Sequence, residues 1–152
     1  MRYLTVFITI LGLDLGIKNH IEDHLEEKEQ RSKCGGFLLI QKYHNKGAFL
    51  NAGQKMPWLV AVLSVALTLL LTILFAVSLT KAGSSTLKWG LTMLLGGAYS
   101  NTYDRLRRKY VVDYVSLQVP VKKLRQVVFN IGDFCIMAGA ALVVIASGKN
   151  YT

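Results

Sequence analysis

Four aspartates stand where a carboxylate is costly or conspicuous. Asp14 interrupts an apolar run (YLTVFITILGLDLGI, residues 3–17), Asp133 is the only charge in another near the C-terminus, Asp104 stands at the polar end of a third, and Asp113 follows in a short β-branched stretch. Ionisable groups inside a membrane span are expensive, so each is a candidate for function. Neutral amides accompany them. Asn101, Asp104 and Arg105 share a helix face at i, i+3, i+4, and Asn130 and Asp133 share another at i, i+3. Two carboxyls held close together near a membrane surface cannot both ionise cheaply, so one keeps a proton and the pair titrates as a unit. The ionised member can take a proton from water that attacks a carbonyl, while the protonated one assists the carbonyl oxygen and then the leaving amine. Asparagines can hold such carboxyls without cancelling their charge. The competing reading pairs Asp104 with Arg105 or Arg108 in a helix-end ion pair and leaves Asp113 as a solvated loop residue.

These residues need elements to position them, and the composition says of what kind. Of 152 residues, 52% are hydrophobic and 18% charged, and between Lys55 and Lys81 no residue carries a charge. About 20 apolar residues span a hydrocarbon core. The chain is therefore membrane-embedded, which excludes a soluble enzyme, a disordered tail and a small secreted disulfide scaffold. Its length suits a single polytopic domain over 1–152. Four transmembrane helices are expected, at about 3–18, 57–79, 85–107 and 127–147. Pro57 suits a first turn, Ser84, Ser85 and Thr86 can cap the third helix, and Gly90, Gly96 and Gly97 are spaced for close intramembrane packing, as are the small residues from Ala138 to Ala141. The two intervening segments, 19–56 and 108–126, follow odd-numbered helices and so share one side of the membrane. The first begins charge-rich (HIEDHLEEKEQRSK), turns at Gly35-Gly36 and continues as β-prone FLLIQKY; the second is β-branched, then basic. The fold expected is thus an all-α membrane protein with a small β-rich or amphipathic segment outside the spans.

The net charge of +9 is spread around and between the apolar runs and makes no single stripe, so anionic lipid headgroups are its counter-charges and nucleic acid is not a partner. Each extramembrane segment holds seven Lys or Arg, counted from Lys18 to Lys55 and from Arg105 to Arg125, against Arg2, Lys81, Lys88 and Lys149 on the other side. The positive-inside rule would put those segments in the cytoplasm. His20, His24 and Glu27 fall at i, i+4, i+7, but a zincin's His-Glu-x-x-His has Ile21 in its general-base place, so a solvated helical face is expected and no metal. Cys34 and Cys135 read as free thiols, and Arg31-Ser32-Lys33-Cys34 lacks the small and apolar residues that precede a lipidated cysteine.

The runs GGAYSNTYDR (96–105), VVDY (111–114) and FNIGD (129–133) resemble the motifs of signal peptidase II, the bacterial lipoprotein signal peptidase family. Asp14 and Lys18 add its D-x-x-x-K arrangement, and Asn45 heads NKGAF, one residue shorter than the family's N-x-G-x-A-F; Gly132 stands where the family usually has Ala. The resemblance covers essentially the whole chain. It implies a four-helix aspartic peptidase with both termini in the cytoplasm and its site at the extracytoplasmic face of the bacterial cell membrane. In that reading Asp113 and Asp133 are the catalytic dyad, and Asp14, Lys18, Asn45, Asn101, Asp104, Arg105 and Asn130 shape the site or touch substrate. The implied reaction removes signal peptides from prolipoproteins by cutting before a diacylglyceryl-modified cysteine, with no cofactor, by a monomer among membrane lipids. A proton or cation relay through Asp14 and Asp133 is the rival class. A relay needs titratable groups spread through the membrane depth, whereas here carboxyls and asparagines gather toward one side. An inactive member of the family is a third reading, against which the retained Asp113 and Asp133 count.

Overall fold

A computed structural model describes residues 1–27, 29–48, 52–80 and 84–148. Lys28, Phe49, Lys81 and Lys149, used in the motif and charge readings above, lie outside the described residues. The elements run α1 (Arg2–His24), β1 (Gln30–Lys33), a short 3-10 turn (Cys34–Gly36), β2 (Leu38–Asn45), α2 (Pro57–Thr80), α3 (Ser85–Arg107), β3 (Val111–Leu117), α4 (Lys122–Arg125), β4 (Val128–Phe129) and α5 (Ile131–Gly148). The chain is mostly helical, with one four-stranded antiparallel sheet in the order β1-β2-β3-β4.

Among the described residues three helices, α1, α2 and α5, are long and apolar enough to cross a membrane. The sequence reading expected four. The remaining long helix, α3, fails on composition because it is the hub: it packs against α1, α2 and α5 and buries Thr92, Ser100, Asn101, Thr102 and Asp104 among them. A helix surrounded by partners can turn its polar groups inward, where they hydrogen-bond across helices, as Thr102 does to Thr68 at 2.9 Å and Tyr99 to Thr72 at 3.1 Å. Ser84 caps α3, its Oγ accepting from the Leu87 N–H at 3.4 Å.

Glycine sets how closely α3 meets its neighbours. A Cβ on Gly90 would sit 2.8 Å from the Gly139 carbonyl oxygen, and one on Gly139 2.6 Å from that of Gly90. Seven residues along each antiparallel helix, a Cβ on Gly97 would overlap the carbonyl of Gly132. Gly96 meets α1 instead, against Ile10. The α3–α5 seam is therefore two glycine pairs wide at its tightest points.

Two helix ends differ from expectation. α1 runs past residue 18 to His24 because the buried stripe Asp14, Lys18, Ile21 and Leu25 continues at helical spacing, with Ile21 and Leu25 packing on Val112 and Tyr114 of the sheet. α5 starts at Ile131, not at Val127, because Val128 and Phe129 are drawn into the sheet opposite Ser116 and Val115.

β2 pairs with β3 as Ile40↔Val115 and then as Tyr43↔Asp113, His44↔Val112 and Asn45↔Val111. Two residues, Gln41 and Lys42, thus oppose Tyr114 alone, a β-bulge. Side chains alternate faces along a strand, so an unbulged β2 would have put Asn45 on the face that packs on α1. The extra residue puts Asn45 on the face of Val111 and Asp113.

Candidate active site

Asn130 and Asp133 form the N-terminus of α5, and they do so as a reciprocal cap. The Asp133 N–H donates to Asn130 Oδ1 at 2.8 Å, and the Asn130 N–H donates to Asp133 Oδ2 at 3.1 Å. This is the capping-box arrangement with Asn and Asp in the places of Ser and Glu. It leaves Asp133 Oδ1 open to another donor, which is Asn101 Nδ2 at 2.8 Å. With its side-chain carbonyl engaged in the cap, Asn130 has only its amide hydrogens left to give. Its Nδ2 donates to Asp113 Oδ1 at 2.7 Å and to Asn101 Oδ1 at 3.2 Å. Asp113 Oδ2 accepts from Asn45 Nδ2 at 3.0 Å. Asn130 therefore bridges the two carboxyls, its side chain on Asp113 and its backbone on Asp133.

Behind this layer lies a buried charged one. Lys18 and Asp14 are fully buried and ion-paired at 2.8 Å, with Asp104, equally buried, 3.4 Å from the same ammonium. Lys18 Nζ also donates to Ser100 Oγ at 3.0 Å and to Asn101 Oδ1 at 2.8 Å. A buried charge persists only when paired and hydrogen-bonded, and here the pairing fixes the Asn101 amide: its oxygen faces Lys18 and Asn130, so its nitrogen must face Asp133. Asp14 accepts from Ser100 Oγ at 2.5 Å and from Tyr114 Oη at 3.0 Å, and Tyr114 Oη in turn accepts from the Ile131 N–H at 3.0 Å. Asp104 binds the Val112 N–H at 3.1 Å and pairs with Arg108 at 3.1 Å, while Arg108 also reaches Asn19. The helix-end pairing considered above is thus made with Arg108. Asp104 does not hold Arg105, which instead donates to the carbonyls of Asn101 (3.3 Å) and Gly47 (3.1 Å).

Every sequence-predicted site residue joins this one network: Asp14, Lys18, Asn45, Asn101, Asp104, Arg105, Asp113, Asn130 and Asp133. Two members, Ser100 and Tyr114, were missed. Ser100 could have been found one helical turn before Asp104, and Tyr114 by strand alternation, which turns it away from Asp113 toward α1. The His20, His24 and Glu27 face makes no such network. The two imidazoles stack at 4.4 Å, His24 Nδ1 sits 3.0 Å from the His20 carbonyl, and among the described residues no group of three or more His, Cys, Asp or Glu side chains could hold a metal ion.

Asp113 and Asp133 open onto a cleft of about 200 Å³, lined on its polar side also by Asn45, Asn101 and Arg105 and on its apolar side by Phe129, Ile136 and Met137. Ala48 joins it to a larger groove of about 730 Å³ along Leu59, Leu63 and Leu67 of α2. Burial, and next to it the charge of Asp133, push the Asp113 carboxyl up to about 7, although the donors on Asn45 and Asn130 pull the other way. Arg105 Nε is buried with no hydrogen-bond partner among the described residues. The arrangement offers a carboxyl shifted toward neutral pH, a second carboxyl fixed by a helix cap, and a guanidinium N–H beside an apolar trough.

Known proteins resemble this chain over nearly its whole length. A family model described as signal peptidase (SPase) II matches residues 6–149. A lipoprotein signal peptidase of Teredinibacter turnerae is 33% identical over 152 residues, covering 95% of this chain and 85% of its own, and one from Photorhabdus laumondii is 29% identical over 150 residues, covering 97% and 87%. Among solved structures, a bacterial membrane enzyme determined by the in meso method at 2.3 Å resolution superposes with a TM-score of 0.86 over 99% of this chain and 90% of that one, at 20% identity, a likeness of fold.

Proposed function

Because the chain belongs to the signal peptidase II family, we propose that Asp113 and Asp133 are the dyad with which it hydrolyses its substrate. It is a membrane peptidase that removes signal peptides from prolipoproteins. The observation that carries the dyad is Asn130, which bridges the two carboxyls from a helix cap and so holds both at the mouth of one cleft. Asp133 accepts two hydrogen bonds at the positive end of a helix, a setting that suits it to be the ionised member of the pair and the base for water. Asp113, buried and beside that charge, keeps the proton and donates it to the scissile carbonyl oxygen; Asp133, which has taken a proton from the attacking water, then passes that proton to the leaving amine, while Asp113 takes one back as the carbonyl re-forms. Arg105 Nε is the donor for a substrate carbonyl, and the apolar groove along α2 suits the diacylglyceryl chains and the apolar signal peptide. Lys18, Asp14 and Asp104 act from behind, through Asn101 and the backbone of Val112. The enzyme works as a monomer among membrane lipids, with α3 as a fourth span and the sheet with its dyad at the extracytoplasmic face.

The proton on Asp113 sets the pH dependence. A carboxyl raised to about 7 stays protonated to a higher pH than an ordinary one, so turnover should hold through mildly acidic pH. Above about 7 it should fall, approaching about tenfold per pH unit, as the pair loses its proton. The check is kcat for a diacylated prolipoprotein from about pH 5 to about pH 9; a rate that rises across the upper half of that range would remove Asp113 as the acid.

Orientation has its own test, because it runs against the basic-residue count. With Cys34 and Cys135 replaced, a Gln118→Cys variant should react with an impermeant thiol reagent added to intact cells. Protection of that position, with labelling only after the cells are opened, would invert the assignment.

A further inference from the structure

The last turn of α1 carries a cluster that the dyad does not touch. The Glu22 carboxylate accepts from Tyr110 Oη at 2.7 Å and lies 3.0 Å from His44 Nε2; an ionised carboxylate only accepts, so that ring nitrogen carries the proton. The His44 ring stacks on Tyr110 at 4.0 Å and 29°. Lys42 Nζ donates to the Glu22 carbonyl at 3.0 Å, and Glu27 and Lys46 are the other charged groups around His44. Burial and the Glu22 carboxylate push the Tyr110 phenol up to about 12, so it remains a donor.

Three elements meet here: the end of α1, the end of β2, and the residue that leads into β3. His44 precedes Asn45 and Tyr110 precedes Val111, and Asn45↔Val111 is the last pair of the β2–β3 ladder. Alternation puts the cluster on the reverse face of the sheet, directly behind that pair. A strand end frays unless something holds it, and Asn45 must hold still to bond Asp113. We propose that Glu22, His44 and Tyr110 form a clasp that positions Asn45 on Asp113, making them positioning residues for the hydrolysis. The inference rests on the dyad reading above.

The test compares Glu22→Ala, Tyr110→Phe, Asn45→Ala and the double variant Glu22→Ala/Asn45→Ala in the full-length enzyme, normalised to folded protein, with a diacylated prolipoprotein as substrate. Glu22→Ala should lower kcat about tenfold with KM little changed, Tyr110→Phe about threefold, and Asn45→Ala at least as much as Glu22→Ala. The double variant should be no slower than Asn45→Ala, because the clasp acts through that residue. Asp113 is also faced by Asp133, Lys18 and Arg105, which these variants leave in place. Losing the Asn45 donor alone should move the alkaline limb of the pH–rate profile to higher pH, equally in Glu22→Ala and Asn45→Ala. Additive losses in the double variant, an unmoved limb in Glu22→Ala, or wild-type kcat in both Glu22→Ala and Tyr110→Phe would overturn the clasp. Failure of the dyad shows separately, as turnover retained when Asp113 or Asp133 is itself replaced.

Discussion

Asp133→Asn and Asp113→Asn should each lower the rate of prolipoprotein cleavage by at least about 10⁴, since each removes a group that exchanges a proton and both belong to the unit that activates water. Both variants should fold. The Asp133→Asn side chain would keep an oxygen for the Asn130 N–H, and so the helix cap, but its amide nitrogen would then face the Asn101 nitrogen, donor against donor. The Asp113→Asn variant meets the same conflict, because Asp113 accepts from amides on both oxygens. Each mismatch costs on the order of 1–3 kcal/mol, which lowers the melting temperature without unfolding the bundle. Asp104→Asn is the control. Its partners are Lys18, Arg108 and the Val112 N–H, none of them a dyad carboxyl, and its loss of rate should be smaller. The measurement is cleavage rate normalised to folded protein in detergent or lipid. Near-wild-type turnover by Asp133→Asn would sink the dyad, and a collapse confined to Asp104→Asn would move the chemistry to that residue.

The second large effect needs only one methyl group. Gly97→Ala puts a carbon into the space of the Gly132 carbonyl, which is backbone and cannot rotate away, so α3 and α5 must part. Overpacking of this kind costs roughly 1–3 kcal/mol. The damage to catalysis should be out of proportion to the damage to stability, because Gly132 lies between Asn130 and Asp133 within the cap. A shift of about 1 Å in a catalytic group can cost on the order of 10² in rate. Gly148→Ala, with open space around the added carbon, should change neither property. The checks are melting temperature and kcat side by side. A Gly97→Ala enzyme with normal turnover would show that the seam does not set the dyad.

Much of this site was legible because it lies on helices, where spacing fixes direction. Asp14 and Lys18 at i, i+4 do pair, Asn130 and Asp133 at i, i+3 do share a face, and Ser84 does cap α3. What spacing along one helix cannot give is which helix it faces. The orientation of the Asn101 amide depends on Lys18 from α1 and Asn130 from before α5, two partners far away in the chain. The helix expected at 85–107 is present as α3, and its polar composition follows from the same cause: α1, α2 and α5 pack around it and take up its polar side chains. The charged stretch after Lys18 hid both the last turn of α1 and the edge strand β1, whose Gln30–Lys33 carry no strand pattern and pair only because β2 lies alongside. The bulge at Gln41 and Lys42 contains no glycine to announce it, and it decides on which side of the sheet Asn45 lies.

That bulge divides the hairpin into two stretches with unequal tolerance for changes in length. On its far side, from Glu26 around the Cys34–Gly36 turn, residues can be gained or lost in matched pairs and the dyad end of the ladder keeps its register. Between Ile40 and Tyr43, loss of one residue would only close the bulge and leave Asn45 opposite Val111, whereas gain of one beside an intact bulge would exchange the two faces of everything downstream. With that insertion Asn45 would swing toward α1, and the imidazole of His44 would be delivered to the face of Asp113 in its place: an amide nitrogen that can only donate replaced, without any substitution, by a ring whose nitrogens can either donate or accept.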